Sequence, residues 1–398
     1  MLRKTRIAAP VLLIALAVGV SSAFGSGSRP ARAGVSACST ATAGGPNLTS
    51  AHPTFTKLGG EPFGVATARG YAFVANATGS LDVLADRDSV PRLIKKIALP
   101  PGGLGVTITA NERDLLVADD GDGAIVVDLA RAEAGDRNAV LGTLRVGSTR
   151  TLGGAIEVAT SRDGRYAFVS LEDSARIAVY RLATAIADHF RKPAYVGSIP
   201  TGIAPVGLAV SPNGRWLYST SEVASGHSAG DGSLKVISVA TAERDPANAV
   251  IATVSAGCSP VRVAVSSDGN YVWVTARESD ELLAFSAAKL RAHAADPVLA
   301  AVRVGEAPVG LALVDGGRQV VVADSNRFGA NGATSALTFV STSAALAHHS
   351  AIVGTVKAEQ FPREMALEPA GTVLLVGNFG SGTLEAVHVD DHAQESRA

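Results

Sequence analysis

Three charged residues each replace a glycine at the same place in a recurring apolar sequence. The sequence occurs as APVGLAV at 204–210, as APVGLAL at 307–313 and, with arginine in place of glycine, as SPVRVAV at 259–265. Two carboxylates near one arginine suit acid–base chemistry or the capture of an anion or a metal ion, because one stays ionised while the other has its pKa raised. The same side chains can instead form an internal salt-bridge plug, since buried charges are tolerated when paired. The equivalent positions along the chain are Gly64, Gly105, Glu157, Gly207, Arg262, Gly310 and Glu364.

A second set of polar residues follows the next apolar run of several copies. Asn and Asp form turns, which accounts for most of this set. Their oxygens, with Glu157 or Glu364, also fit a hard cation such as calcium, so we expect either no cofactor or a divalent cation. Two loops that start here are long, 221–233 and 324–336, and long loops on a rigid scaffold often bind ligands. The set comprises Asn76, Asp119, Asp324 and Asn378.

Short strands must position these residues, since no long stretch has the period of a core helix. Runs such as YAFVAN (71–76) and NYVWVT (270–275) recur seven times at a mean step of about 50 residues, separated by Gly, Asp, Asn and Ser. Each unit contains four such runs, which predicts an all-β seven-bladed β-propeller with four-stranded antiparallel blades. The first strand of each blade then lines the central channel. Glu157, Arg262 and Glu364, the charged trio, would meet at the channel mouth.

The two ends of the repeat region complement each other. The seventh unit stops after its third strand, at HVDDHAQESRA, and TFTKLGG at 54–60 has the pattern of a missing fourth strand. We therefore expect the N-terminal strand to complete the last blade and close the ring. The Ala-rich connections at 129–140, 182–196 and 286–298 predict a helical turn each, on the face opposite the ligand side.

The repeats AFVANATGSLDVL (72–84), VWVTARESDELLAF (272–285) and LLVGNFGSGTLEAV (374–387) resemble a known group. They are similar to secreted YVTN-type β-propeller repeats, which are kin to the lactonase-like seven-bladed propellers. The resemblance covers about 50–390 and implies the fold, whereas such relatives range from binding proteins to lactone-opening enzymes. It also implies Glu, Asn and Asp at a channel mouth in metal-assisted relatives. No local motif is long enough to transfer a catalytic residue, so the catalytic residues stay unknown.

The N-terminal sequence predicts where the protein is located. A basic start and an apolar run from Ile7 to Val20 indicate a secretory signal peptide over 1–33, with cleavage after Ala23 or Ala33. We expect a flexible lead-in over 34–50, a single propeller domain over 51–398 and no membrane span in the mature chain. Cys38 and Cys258 would meet an oxidising compartment, either as one disulfide or as two thiols.

The mature chain would be mildly acidic, because the 35 Lys+Arg of the full sequence, against 36 Asp+Glu, include five in the first 33 residues. It therefore lacks the excess of basic residues that is typical of a nucleic-acid-binding protein. We expect a monomeric, secreted or extracytoplasmic protein that binds a small ligand or a protein partner at its top face and channel mouth. The alternative is a lactonase-like hydrolase, in which Glu157 or Glu364 acts as base or metal ligand and Arg262 holds an anionic group.

Overall fold

The predicted propeller is confirmed. The computed structural model describes residues 38, 42–49, 51–85, 90–147, 153–224, 231–327 and 335–389. Within these ranges the chain forms 28 β-strands in seven antiparallel sheets of four strands. The first strands contact one another in a closed cycle, each blade touching the next and the seventh touching the first. Each sheet is therefore one blade around a central channel.

The strands follow the order predicted from the repeats. Blade 1 has β2 (Pro62–Ala68), β3 (Tyr71–Asn76), β4 (Ser80–Ala85) and β5 (Arg92–Ala98); blade 2 has β6 (Val106–Ile108), β7 (Asp114–Ala118), β8 (Ala124–Asp128) and β9 (Val140–Leu144). Blade 3 has β10 (Ala155–Thr160), β11 (Ala167–Leu171), β12 (Arg176–Tyr180) and β13 (Tyr195–Pro200); blade 4 has β14 (Ile203–Val210), β15 (Trp216–Val223), β16 (Asp231–Ser238) and β17 (Val250–Cys258). Blade 5 has β18 (Pro260–Val265), β19 (Tyr271–Ala276), β20 (Glu281–Ser286) and β21 (Val298–Arg303); blade 6 has β22 (Pro308–Val314), β23 (Gln319–Asp324), β24 (Ala336–Ser341) and β25 (Ile352–Lys357). Blade 7 has β26 (Pro362–Leu367), β27 (Val373–Asn378), β28 (Thr383–His388) and, from the other end of the chain, β1 (Thr54–Lys57).

The N-terminal strand closes the ring, as predicted. β1 pairs antiparallel with β28, with Thr54 opposite Ala386 and Lys57 opposite Thr383. Blade 7 is therefore built from residues more than 300 positions apart in the sequence. The closure leaves no blade with an incomplete sheet.

Large apolar side chains from the second strands fill the spaces between blades. Phe73, Phe168, Tyr218 and Trp273 are fully buried, and they belong to separate clusters that each join neighbouring blades. Burial of one such side chain stabilises the fold by roughly 1.5–3 kcal/mol. The hydrophobic core is thus a ring of inter-blade layers around the channel, which holds the first strands in fixed positions.

Helical turns connect third to fourth strands, and those expected at 129–140, 182–196 and 286–298 are confirmed. Side chains at four of the N-caps accept a backbone hydrogen bond, for example Ser286 from the Lys289 N–H. None of the helices in the described ranges is long and apolar enough to cross a membrane. The helices are α1 (Leu129–Glu133), α2 (Leu182–Ala187), α3 (Val239–Ala242), α4 (Ala287–Arg291) and α5 (Thr342–Leu346), with short 3-10 turns at Glu172–Ser174, Pro246–Asn248 and Asp315–Gly317.

Residues 42–49, which belong to the lead-in expected over 34–50, pack on the outer strand of blade 6. The Leu48 N–H donates to the Thr355 carbonyl at 2.9 Å, and Thr355 donates to Pro46 at 2.8 Å. Leu48 is buried against Gly354, where a side chain would leave no room for it. Of the two alternatives for the cysteines, the structure has the disulfide, which ties Cys38 to Cys258 at the end of β17. The signal peptide expected over 1–33 lies outside the described residues.

Candidate binding site at the channel mouth

The first strand of six blades has an irregular register near its start, at the position where the charged column lies. In β18, for example, Pro260 pairs with Ala276 but Val263 pairs with Val274. Equivalent shifts occur in β2, β10, β14, β22 and β26. Such bulges re-aim side chains. At the start of the first strands, two successive residues therefore line the channel: the residue of the charged column and the residue before it.

The first of these two residues forms an apolar ring. The ring lies at the upper end of the channel, on the face where the first strands begin and where the loops from second to third strands lie; we call this the upper face. The clustered residues are Phe63, Leu104, Ile156, Val206, Val261 and Val309. The equivalent residue of blade 7 is Arg363, so one cation stands in an otherwise apolar ring.

The second residue is the predicted column of four glycines and the charged trio. Glycine lets neighbouring first strands approach closely. A Cβ added to Gly64 would lie 2.5 Å from the Leu104 carbonyl oxygen, and one added to Gly310 would lie 1.8 Å from the Arg363 carbonyl oxygen. These glycines are therefore required by the spacing of the blades.

The charged trio meets around Arg262. The guanidinium pairs with Glu364 through both Nε and Nη2, and its Nε lies 3.5 Å from Glu157 Oε2. Arg262 is 6% exposed and Glu157 is 9% exposed. The Arg262 backbone N–H donates to Thr275 Oγ1 at 3.1 Å, which fixes the strand beneath the side chain. The three residues thus form one largely buried group contributed by blades 3, 5 and 7, in which Arg262 pairs with Glu364 and lies beside Glu157.

Burial governs the ionisation of this group. Burial, and then the charge of Glu364, raises the pKa of Glu157 to about 8, although Arg262 acts in the opposite direction. Burial alone would lower the pKa of Arg262, but the charges of Glu364 and Glu157 outweigh it and raise that pKa. Glu157 therefore holds its proton near neutral pH while Arg262 stays charged.

Arg363 lies against three aromatic rings at the mouth. Its Cζ is 3.9 Å from the centroid of Phe63, 5.0 Å from that of Phe361 and 5.4 Å from that of Phe379. The Phe361 and Phe379 rings are themselves 5.4 Å apart in an edge-on arrangement. Burial, and then the charge of Arg262, lowers the pKa of Arg363 to about 9. Its buried Nε has no hydrogen-bond partner, and the guanidinium has no carboxylate within 4.0 Å, among the described residues.

Other charged side chains surround Arg363 on the upper face. Arg277 binds Glu222 through two hydrogen bonds of 2.7 and 2.9 Å. Arg327 lies 5.3 Å from the Phe361 ring centroid, and burial lowers its pKa. Burial, and then the charge of Glu222, raises the pKa of Glu172. The channel mouth therefore combines three phenylalanine rings with several partly buried arginines.

The asparagines that follow the second strands hydrogen-bond to nearby strands and inter-strand connections. Asn76 accepts from the Glu61 N–H at 2.9 Å and donates to the Gly59 carbonyl at 2.7 Å, and Asn378 donates to Glu385 Oε2 at 3.0 Å. They organise turns and strand ends, and no described hydrogen bond connects them to the charged trio.

The two aspartates of this set differ from each other. Asp119 accepts from the N–H groups of Gly121 and Gly123, which is a turn function. Asp324 is 3% exposed and borders a separate pocket. Within the described residues, no three His, Cys, Asp or Glu side chains are arranged to hold a metal ion. The centres of the two long loops, 225–230 and 328–334, lie outside the described residues.

Sequence reasoning missed Arg363 and its aromatic neighbours. The signal was available one position before the charged column, where the aligned repeats read Phe, Leu, Ile, Val, Val, Val and Arg. A lone arginine in that series is as unusual as the charged trio. The bulge that brings both positions to the channel has no clear sequence signature. The sequence therefore predicted a channel position for Glu364 but not for Arg363.

Comparison with known proteins agrees with this architecture. The family described as Lactonase, 7-bladed beta-propeller matches residues 106–328, which is more than half of the chain. No curated protein matches. Among solved structures, Kuenenia stuttgartiensis hydrazine synthase is similar over 84% of this chain and 97% of that chain, with a TM-score of 0.66 and 17% identity; this likeness concerns the fold alone. The matched range contains Glu157 and Arg262, and the chain belongs to the lactonase family of seven-bladed β-propellers.

Proposed function

We propose that this protein is an extracytoplasmic binding protein that takes a small anionic ligand at the channel mouth, on Arg363. The observation that carries the proposal is a guanidinium whose Cζ lies within 5.4 Å of the centroids of three phenylalanine rings, with no carboxylate within 4.0 Å among the described residues. Arg262 and Arg277, by contrast, are ion-paired. Since Arg363 makes no ion pair with the described residues, its charge is left for a ligand.

The chemistry of arginine supports an oxyanion as the ligand. A guanidinium presents paired N–H donors that match a carboxylate or phosphate, and such charge-assisted bonds are about twice as strong as neutral ones. The pKa of Arg363, lowered to about 9, still leaves it cationic at neutral pH. An anion would relieve the repulsion from Arg262 that contributes to this lowering. The phenylalanine rings would pack against an apolar or aromatic part of the same ligand.

The location and the oligomeric state are parts of this proposal. The basic and apolar N-terminal sequence and the Cys38–Cys258 disulfide both support a compartment outside the cytoplasm. A monomer is favoured because one chain completes all seven blades through β1 and needs no strand from another copy.

Anion binding to matched variants tests the proposal. Calorimetric titrations with benzoate, acetate and inorganic phosphate would compare wild type, Arg363→Gln and a control, Arg318→Gln. Arg318 is an exposed arginine that pairs with Asp315 three residues away. We expect at least one anion to bind wild type and the control with one site, and to bind Arg363→Gln at least tenfold more weakly. Equal affinity in all three proteins, or binding of none of the anions, would refute the proposal.

The alternative is a lactonase-like hydrolase, which the family match and the raised pKa of Glu157 favour. Glu157 or Glu364 would then act as base or metal ligand, and Arg262 would hold an anionic group. The close pairing of Arg262 with both carboxylates weighs against it, because the pairs would have to open before substrate could use them. Acid release from lactones, with and without calcium, would test it. Turnover that is lost in folded Glu157→Gln or Glu364→Gln would replace the binding proposal by this one.

A further inference from the structure

A pocket of about 320 Å³ lies away from the channel, between residues 42–44 and blade 6. The N-terminal segment forms one wall and is fixed there, because the Ala43 N–H donates to the Val304 carbonyl at 2.8 Å. The opposite wall comes from β23 to β25, through Asp324, Thr338 and Thr355. The pocket is therefore a built feature of the closed ring and its N-terminal segment.

Asp324 is the most buried acid of this pocket. It is 3% exposed, and the Thr338 hydroxyl donates to its Oδ2. Its Oδ1 is buried and has no hydrogen-bond partner among the described residues. Gly305 packs directly on the carboxylate, since a Cβ there would lie 2.5 Å from Asp324 Oδ2. An unpartnered carboxylate oxygen in such a place is costly unless a donor reaches it.

The ionisable side chains in the described lining of the pocket are both acidic. Glu306 is a second carboxylate in the lining, and the side chains of Thr42, Thr338 and Thr355 add hydroxyl groups. No Lys, Arg or His belongs to the described lining. The lining also contains Asn326, whose amide nitrogen donates to Glu306 Oε2 at 2.8 Å. The described lining therefore offers carboxylate acceptors to a cationic hydrogen-bond donor and holds no cationic side chain for an anion.

We propose that this acidic pocket, between the N-terminal segment and blade 6, binds a small organic ammonium ion through Asp324 and Glu306. An ammonium group has three N–H donors, which can be shared among the two carboxylates and a threonine hydroxyl. A hard metal ion fits less well: calcium takes six to eight oxygen ligands, and no cluster of three acidic or imidazole side chains is found in the described chain. The volume also leaves room for a short carbon chain beside Ala43 and Ala336.

The ionisation of Asp324 supplies a signature for this binding. Burial raises the pKa of Asp324 to about 8, although hydrogen bonding by the Thr338 hydroxyl and by the Gly305 backbone acts in the opposite direction; the smaller effect of the Asp280 charge adds to the rise. The groups that face it are Glu306 in the pocket and Asp280, which is itself influenced by Arg303. A bound ammonium ion needs the carboxylate form, so binding expels a proton at neutral pH. The apparent affinity should therefore rise by roughly tenfold per pH unit below a pH of about 8 and then level off.

Calorimetric titration with n-butylamine tests the inference. The comparison uses wild type, Asp324→Asn, Glu306→Gln and a control, Glu278→Gln, which alters an exposed carboxylate of blade 5. 1-Butanol is the neutral analogue, and calcium chloride tests a metal alone. We expect one butylamine site in wild type and the control, at least tenfold weaker binding in Asp324→Asn and weaker binding in Glu306→Gln. We also expect no site for 1-butanol, and pH dependence that Asp324→Asn abolishes.

Three outcomes would overturn the inference. The first is no binding of butylamine to the folded wild type, and the second is equal binding to Asp324→Asn and wild type. The third is calcium binding that requires Asp324 without any butylamine binding, which would make the pocket a metal site. Glu306→Gln tests the pocket even if Asp324→Asn does not fold. Glu306 is less buried than Asp324, and its replacement keeps the Asp324–Thr338 hydrogen bond, so this variant is expected to fold.

Discussion

Replacement of Glu157 by glutamine should change how stability depends on pH. Glu157 has a pKa raised from 4.5 to about 8 in the folded protein. Each pKa unit corresponds to about 1.4 kcal/mol, so the shift is equivalent to roughly 4–5 kcal/mol. Between these two pH values the folded protein retains a proton that the unfolded chain has released. The contribution of Glu157 is therefore fully present below about pH 4.5 and is lost as the pH rises through about 8.

The assay is urea unfolding of wild type and Glu157→Gln at several pH values, followed by tryptophan fluorescence, since Trp273 is buried. The free energy of unfolding of wild type minus that of the variant should decrease by roughly 4–5 kcal/mol between pH 4.5 and 8.5. Asp324 and Glu385, whose pKa values are raised to about 8 and about 7, are common to both proteins and cancel in the difference. Glu278→Gln, at an exposed site, serves as the control.

A constant difference across this pH range would refute the reasoning. It would mean that Glu157 has the same proton affinity in the folded and unfolded chains, and that the pairing with Arg262 fully compensates its burial. A difference that increases with pH would be stronger evidence, since it would show that Glu157 is ionised and stabilising in the native trio.

Three further predictions concern the channel and the N-terminal segment. Arg262→Met should destabilise the fold by about 3–5 kcal/mol in urea unfolding, because the partly buried Glu364 carboxylate loses its cation. The control Arg318→Met, at an exposed arginine, should leave the free energy of unfolding unchanged. Gly310→Ala should cost at least about 1–3 kcal/mol and lower the melting temperature, because its Cβ would overlap the neighbouring strand, while Gly147→Ala, with open space around it, should be neutral. Reduction of the disulfide should lower the free energy of unfolding by about 2–5 kcal/mol, since it releases a 220-residue cross-link, and an unchanged value would show that the N-terminal segment holds without it.

The fold was predictable because its signal repeats. Alternating apolar runs, turn residues and the complementary ends at TFTKLGG and HVDDHAQESRA identify the blades and their closure from residue order alone. The charged trio was also predictable, because glycine is required at four of the seven equivalent positions and the three exceptions are conspicuous. Its pairing around Arg262 follows from placing these positions around one axis.

The rest of the site depends on geometry that residue order does not contain. The bulges at the start of the first strands decide that Arg363, as well as Glu364, reaches the channel mouth. Asn76 and Asn378 are candidate ligand residues by type, but in the structure Asn76 binds the connection between β1 and β2 and Asn378 binds Glu385 of the adjacent strand β28. The acidic pocket at Asp324 requires the N-terminal segment to pack on blade 6, and only tertiary structure shows this contact.

Ring closure by β1 also has a kinetic consequence. β1 leaves the ribosome early, but its partner β28 is synthesised more than 300 residues later. Until then the first blade faces an unfilled gap, and the strand edges of the open ring are available for incorrect pairing. Contacts of such large sequence separation slow folding. The protein therefore has a long interval during its biogenesis in which these strand edges are unprotected, and a chaperone that keeps them apart from other chains would protect it during this interval.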